Sequence, residues 1–212
     1  MATYLFDFDG TLVDSMSIFA EVMLKMLDEG GVEYPDNVLK LITPMGMQKT
    51  VEYFIELGMD MPAEQIAKKM GDYFIDEYTH RIPAKEGVIE TLEVLRARGD
   101  SLNILTASPH ITLDPCLHRL GIYDMFDNVW SCDADFGKPK TDPQIYCDAA
   151  ARIGVDVGDM IFIDDNLYAD LAAKQSGAVV YGIYDESSAE FEQQIREATD
   201  RYIINFSELL EL

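Results

Sequence analysis

The sequence predicts an α/β fold: an open, mostly parallel sheet with helices on both faces, interrupted after its first strand by an inserted all-helical cap. Three observations carry this. The apolar run Tyr4-Leu5-Phe6-Asp7-Phe8 stops at two carboxylates, Asp7 and Asp9, one residue apart. Almost seventy residues of helical patterning with no strand signal follow it. From Lys85 onward short apolar runs alternate with helical stripes.

The elements follow in order. Tyr4 to Phe8 is apolar and aromatic enough for a buried central strand, and Gly10 supplies the backbone freedom for a sharp turn after it. Ser15 to Asp28 carries Ile18, Phe19, Val22, Met23, Met26 and Leu27 on one helical face and is closed by Gly30-Gly31. Further helices are predicted over Asp36–Ile42, Gln48–Leu57 and Pro62–Tyr78. The chain then leaves the cap near Ile82-Pro83, having entered it near Asp14-Ser15.

In the second half, a helix through Val88, Leu92 and Leu95 precedes a strand, Leu102 to Leu105, that ends in Thr106-Ala107-Ser108. Pro115 interrupts the next helical segment, so a helix is expected to start afresh there and end at Gly121. A short strand over Asn128–Ser131 leads to the loop Gly137-Lys138-Pro139, and a helix with Asp142 as cap and Pro143 at its first position runs to about Ile153. Met160–Ile163 and Val179–Ile183 read as strands, Leu167–Gly177 and Ser188–Ala198 as helices, and Tyr202–Phe206 as an edge strand.

Sixteen basic against thirty-nine acidic residues give a net charge of −23, a field that repels polyanions and argues against a nucleic-acid partner. No apolar run approaches the roughly 20 residues of a membrane helix, and the N-terminal segment lacks a signal pattern, so a cytoplasmic protein is expected. Cys116, Cys132 and Cys147 have no CxxC spacing and read as reduced thiols. The histidines His80, His110 and His118 fit no triad or metal spacing. Oligomerisation is expected to go no further than monomer or weak homodimer.

In an open α/β sheet ligands gather beyond the carboxyl ends of the strands, which places Asp7 and Asp9 in a site. On a regular strand their side chains share a face, and two unpaired carboxylates there would repel, so a cation is expected between them.

The segment Asp7-Phe8-Asp9-Gly10-Thr11-Leu12 resembles the first motif of the haloacid dehalogenase superfamily, and Leu105-Thr106-Ala107-Ser108, Gly137-Lys138-Pro139 and Phe162-Ile163-Asp164-Asp165 resemble its other motifs in order. The resemblance spans the whole chain and implies a Rossmann-like core, residues 1–14 and 84–212, with a cap over 15–83, of the phosphoglycolate phosphatase or β-phosphoglucomutase type. It implies an aspartate-nucleophile phosphatase that hydrolyses a small phosphorylated metabolite through an aspartyl-phosphate. Asp7 is then the nucleophile, Asp9 the proton donor and acceptor, and Thr106 with the Ala107 backbone a cradle for phosphoryl oxygens. Lys138 is read as the ammonium that neutralises the transferred group, while Lys140 reads as solvated. Mg2+ is the implied cofactor, held by Asp7, the Asp9 carbonyl and Asp165, with Asp164 in the position usually taken by glycine. Asp170 is placed either behind the metal or as a plain helix N-terminal charge. In the cap, the turn-rich break Thr43–Lys49 is expected to set substrate choice, with Gly46, Lys49 and Arg81 as candidate substrate contacts and Met45 and Met47 as an adaptable wall.

Asp9 favours phosphoryl over carbon–halogen chemistry, since family members that dehalogenate generally lack it. A phosphosugar mutase, which passes the phosphoryl group to a second hydroxyl, and a non-catalytic phospho-ligand-binding protein are the alternatives. A binding module has no need of both a nucleophile and a proton donor.

Overall fold

The computed structural model describes residues 1–43 and 45–211, so Pro44 of the expected cap break lies outside the described residues. The chain divides into two compact units, Met1–Ser15 with Ile82–Leu212, and Met16–Arg81. The seams therefore fall at 15/16 and 81/82 rather than at 14/15 and 83/84.

The first unit holds six parallel strands in the order β3-β2-β1-β4-β5-β6. They are β1 (Thr3–Phe6), β2 (Ser101–Thr106), β3 (Asn128–Ser131), β4 (Met160–Asp164), β5 (Val179–Ile183) and β6 (Arg201–Ile203). This is the α/β class the sequence predicts. The chain builds outward from β1 through β2 to β3, then returns to lay β4, β5 and β6 on the other side. The order thus reverses beside β1, which is where such sheets open a crevice at their carboxyl ends.

Residue alternation along β1 fixes what each face meets. Leu5 faces a core made with Leu105, Tyr146, Ala149, Phe162 and Ala173. Phe6 faces the opposite way, its ring 6.4 Å from Phe126 and 5.6 Å from Phe206. Asp7, one residue on, returns to the Leu5 side.

The helices of this unit are α5 (Val88–Ala97), α6 (His110–Leu120), α7 (Gln144–Ile153), α8 (Leu167–Ser176) and α9 (Glu192–Ala198). Three expectations are corrected here. Helix α6 runs through Pro115 without a restart. The missing proline N–H costs the hydrogen bond to the Ile111 carbonyl, on a residue that is 60% exposed. The expected helix over 188–198 begins as a 3-10 turn, Glu186–Phe191, and becomes α-helical only at Glu192. The edge strand is likewise shorter than expected, Arg201–Ile203, and a 3-10 turn from Phe206 to Glu211 follows it.

The second unit is helical throughout: α1 (Met16–Gly30), α2 (Val38–Ile42), α3 (Gly46–Glu56) and α4 (Ala63–His80). Helix α4 packs against α1 and α3, with Phe19 stacked on Phe74 at 5.9 Å. Phe19, Met23, Met47, Met70 and Phe74 line a small apolar hollow within it. No described helix is long and apolar enough to cross a membrane.

Candidate active site

The site forms where β1, β2 and β4 end. The register pairs Phe6 with Ile163, and the Asp7 N–H donates to the Ile163 carbonyl at 2.9 Å, so Asp7 emerges level with Asp164. Asp7, Asp164 and Asp165 are all buried, and one carboxylate oxygen of each lies within 4.8 Å of the others. Asp170, in the first turn of α8, is fully buried, and neither of its oxygens has a hydrogen-bond partner. Helix α8 can start directly behind this cluster because Asn166 caps it, accepting from the Tyr168 and Ala169 N–H groups at 3.0 and 3.3 Å.

Among the described residues the ammonium paired with these carboxylates is that of Lys140, not Lys138. Lys140 Nζ lies 2.7 Å from Asp7 Oδ1 and donates to Asp164 Oδ2 at 2.7 Å. Asp7 Oδ1 stays without an aligned hydrogen bond even so. Lys138 instead pairs with Asp148 on α7 at the half-exposed surface. The reason is local. Cys132–Phe136 forms a single π-helical turn that ends at Gly137 with φ 62°, which turns Lys138 outward. The Tyr146 hydroxyl then holds the next stretch by donating to the Lys140 carbonyl at 2.8 Å.

Electrostatics reflect a surplus of buried negative charge. Burial and the neighbouring Asp164 push the Asp7 carboxyl up to about 7 against the pull of Lys140. Burial first, then Asp164, raises Asp165 and Asp170 well above the usual carboxylate range. Burial works against the charge on Lys140, yet Asp164 and Asp7 outweigh it and hold the ammonium well above its ordinary value. Hard oxygen donors, excess buried charge and the two unpartnered Asp170 oxygens behind them suit a divalent cation such as Mg2+.

Asp9 lies past the end of β1, where the backbone forms an isolated bridge with Val13. Its carboxylate accepts from the Ser108 hydroxyl. Thr106 is buried at the end of β2, and its Oγ1 accepts from the Ser108 N–H at 3.0 Å, which leaves its own proton for another acceptor. Ala107 is exposed at the same strand end. Ser108 is occupied with Asp9, and Pro109 holds the capping position of α6 without a side-chain bond.

Gly10 and Thr11 wall in Asp165. Gly10 has φ +77°, and a Cβ there would lie 2.7 Å from both Asp165 oxygens. The Thr11 hydroxyl donates to Asp165 Oδ1 at 3.2 Å. Two further residues that the sequence did not single out brace these loops. His110 is held between Asp114 and Asp135, each at 2.9 Å, linking the start of α6 to the π-helical turn. Lys85 reaches the Gly10 carbonyl at 2.6 Å.

Gly46, Lys49 and Arg81 belong to the second unit. Gly46 and Lys49 are exposed in the first turn of α3. The Arg81 guanidinium is engaged within that unit by Glu77 at 2.9 Å and Glu21 at 3.3 Å.

The haloacid dehalogenase-like hydrolase family profile matches residues 1–177. The chain is 30% identical to the pyrophosphatase PpaX of Bacillus velezensis over 181 residues, 84% of this chain and 81% of that protein. It is 28% identical to the phosphoglycolate phosphatase of Nitrosospira multiformis over 199 residues, 89% of this chain and 86% of the relative. In fold it resembles the crystal structure of a predicted phosphoglycolate phosphatase from Haemophilus somnus, with a TM-score of 0.83 at 21% identity, covering 100% of this chain and 97% of the other. With a match over this much of its length, and with three of the motifs ending the neighbouring strands β2, β1 and β4, the chain belongs to the haloacid dehalogenase-like hydrolases.

Proposed function

We propose that this hydrolase is a Mg2+-dependent phosphatase acting on a small phosphate monoester through a phosphoryl group carried on Asp7. Its relatives over 84% and 89% of its length are named as a pyrophosphatase and a phosphoglycolate phosphatase. The observation that carries the reading is the buried Asp7 carboxylate at the switch point, with Lys140 Nζ at 2.7 Å and Asp164 and Asp165 beside it.

Asp7 attacks phosphorus as its oxygen–phosphorus bond forms and the ester oxygen–phosphorus bond breaks. Asp9, steadied by Ser108, gives its proton to the leaving oxygen. Water then attacks the phosphorus, Asp9 takes that proton back, and free phosphate leaves with Asp7 restored as a carboxylate. Lys140 pulls Asp7 toward its ionised form and faces the charge of the transferred group, and the Thr106 proton is donated to one of its oxygens. Asp7, Asp165 and Asp164, with the Asp9 carbonyl, would hold the Mg2+, which when bound neutralises phosphoryl charge and fixes its orientation. A small phosphorylated metabolite fits an acidic protein that holds a buried ammonium, Lys140, at the site.

The test is phosphate release from a panel of phosphoglycolate, sugar phosphates and pyrophosphate, with Mg2+ and with excess chelator, for wild type and Asp7→Asn. Metal-dependent release lost in the variant is expected. Rearranged sugar phosphate without net release would assign a mutase instead, and equal release from Asp7→Asn would overturn the mechanism.

A further inference from the structure

Lys85 is far from the four motifs in sequence, yet its side chain ends against the first of them. Its ammonium has three N–H donors, and all three are used: the Gly10 carbonyl at 2.6 Å, the Tyr184 carbonyl at 2.9 Å and Asp185 Oδ2 at 2.9 Å. The backbone adds a fourth tie, the Lys85 N–H donating to the Leu12 carbonyl at 3.0 Å. The far end is anchored as firmly. Asp185 is buried, and its other oxygen accepts from the Ser187 N–H at 2.9 Å and the Ser187 hydroxyl at 2.6 Å. Lys85 is therefore a strut between the end of β5 and the turn that follows Asp7 and Asp9.

The strut bears on the metal carboxylate through one residue. Gly10 sits against the face of the Asp165 carboxylate, so closely that a Cβ would overlap both oxygens at 2.7 Å. A displacement of the Gly10 backbone by a fraction of an ångström changes the space Asp165 occupies, and Thr11, bonded to Asp165 at 3.2 Å, moves with it. We infer that Lys85 is a positioning residue for the cation site: it fixes the Gly10–Thr11 turn and so sets the placement of Asp165. This rests on the reading of Asp7, Asp164 and Asp165 as the Mg2+ ligands. Lys85 itself touches neither metal nor substrate.

Charge and geometry make opposite demands, which gives the inference a sign. Removing a positive charge near a cation site tightens cation binding by Coulomb attraction alone. Releasing the turn loosens it. The experiment is calorimetric titration of the metal-free protein with MgCl2, for wild type, Lys85→Met, Lys85→Gln and Lys85→Arg, with the thermal midpoint of each recorded alongside.

Lys85→Met is expected to weaken Mg2+ binding by about 10-fold to 100-fold, the range seen when a metal ligand loses its support. Lys85→Gln, which keeps a donor, should weaken it less, and Lys85→Arg should recover part of the loss. Should Lys85→Met fail to fold, Lys85→Gln alone decides the sign. Mg2+ binding within twofold of wild type, or tighter, in the folded neutral variants overturns the inference, even where the thermal midpoint has dropped, because a purely structural lysine lowers the midpoint and leaves the metal alone. Absence of Mg2+ binding by wild type is a separate result, which overturns the metal reading itself.

Discussion

Lys140 Nζ lies 2.7 Å from Asp7 Oδ1 and the same distance from Asp164 Oδ2, one ammonium shared by the carboxylates that end β1 and β4. It is 13% exposed, whereas the Lys138 side chain is 34% exposed and paired on the surface. A charge held in a dry site acts on the transferred phosphoryl group, and a surface pair contributes little. Lys140→Ala is expected to lower kcat by about 100-fold to 1000-fold. Lys138→Ala should stay within about fivefold of wild type. Steady-state phosphate release measures both, and the reverse ranking would contradict the placement.

Gly10 is required twice, for its φ of +77° and for the space Asp165 fills. Gly10→Ala is expected to cost about 1–3 kcal/mol in backbone strain and, by displacing Asp165, to lower turnover on the order of 100-fold. Gly31→Ala is the control. It has φ +63° with nothing within 4 Å of a new Cβ, so it should lose stability while keeping full turnover.

The raised Asp7 carboxyl fixes a pH dependence for the metal-free protein. Its value is about 7 in the fold against 3.8 for an unperturbed group, so the folded state holds the proton to higher pH than the unfolded chain. Stability linked to that proton is full below about 3.8 and is lost as pH rises through about 7. Between pH 5 and 8 the thermal midpoint of metal-free wild type should therefore fall further than that of Asp7→Asn, which cannot ionise, by on the order of 5 °C. The general repulsion of an acidic chain acts on both proteins alike. Parallel curves in scanning calorimetry would show that Asp7 carries no such strain.

The parts of the site that the sequence made legible are those encoded within one strand and its turn. An apolar run that stops at Asp7 and Asp9, and another that stops at Asp164 and Asp165, needs no distant partner to be read. Lys140 was hidden because two lysines flank Pro139, and local composition does not say which side of the turn faces the sheet. The π-helical turn at Cys132–Phe136 and the Tyr146 hydroxyl decide it. Lys85 was invisible for another reason: its side-chain partners lie 75, 99 and 100 residues away, and no local pattern marks them. Pro115 misled because the turn it would disrupt is exposed at Ile111, and the helix continues through it.

The most direct measurement of the central claim is acid quenching of the Mg2+-loaded enzyme during turnover of a radiolabelled phosphate ester, followed by mass mapping of the labelled peptide. One phosphoryl group is expected on Asp7, released by hydroxylamine and absent from Asp7→Asn. Label on any other residue, or turnover by Asp7→Asn at the wild-type rate, would contradict it.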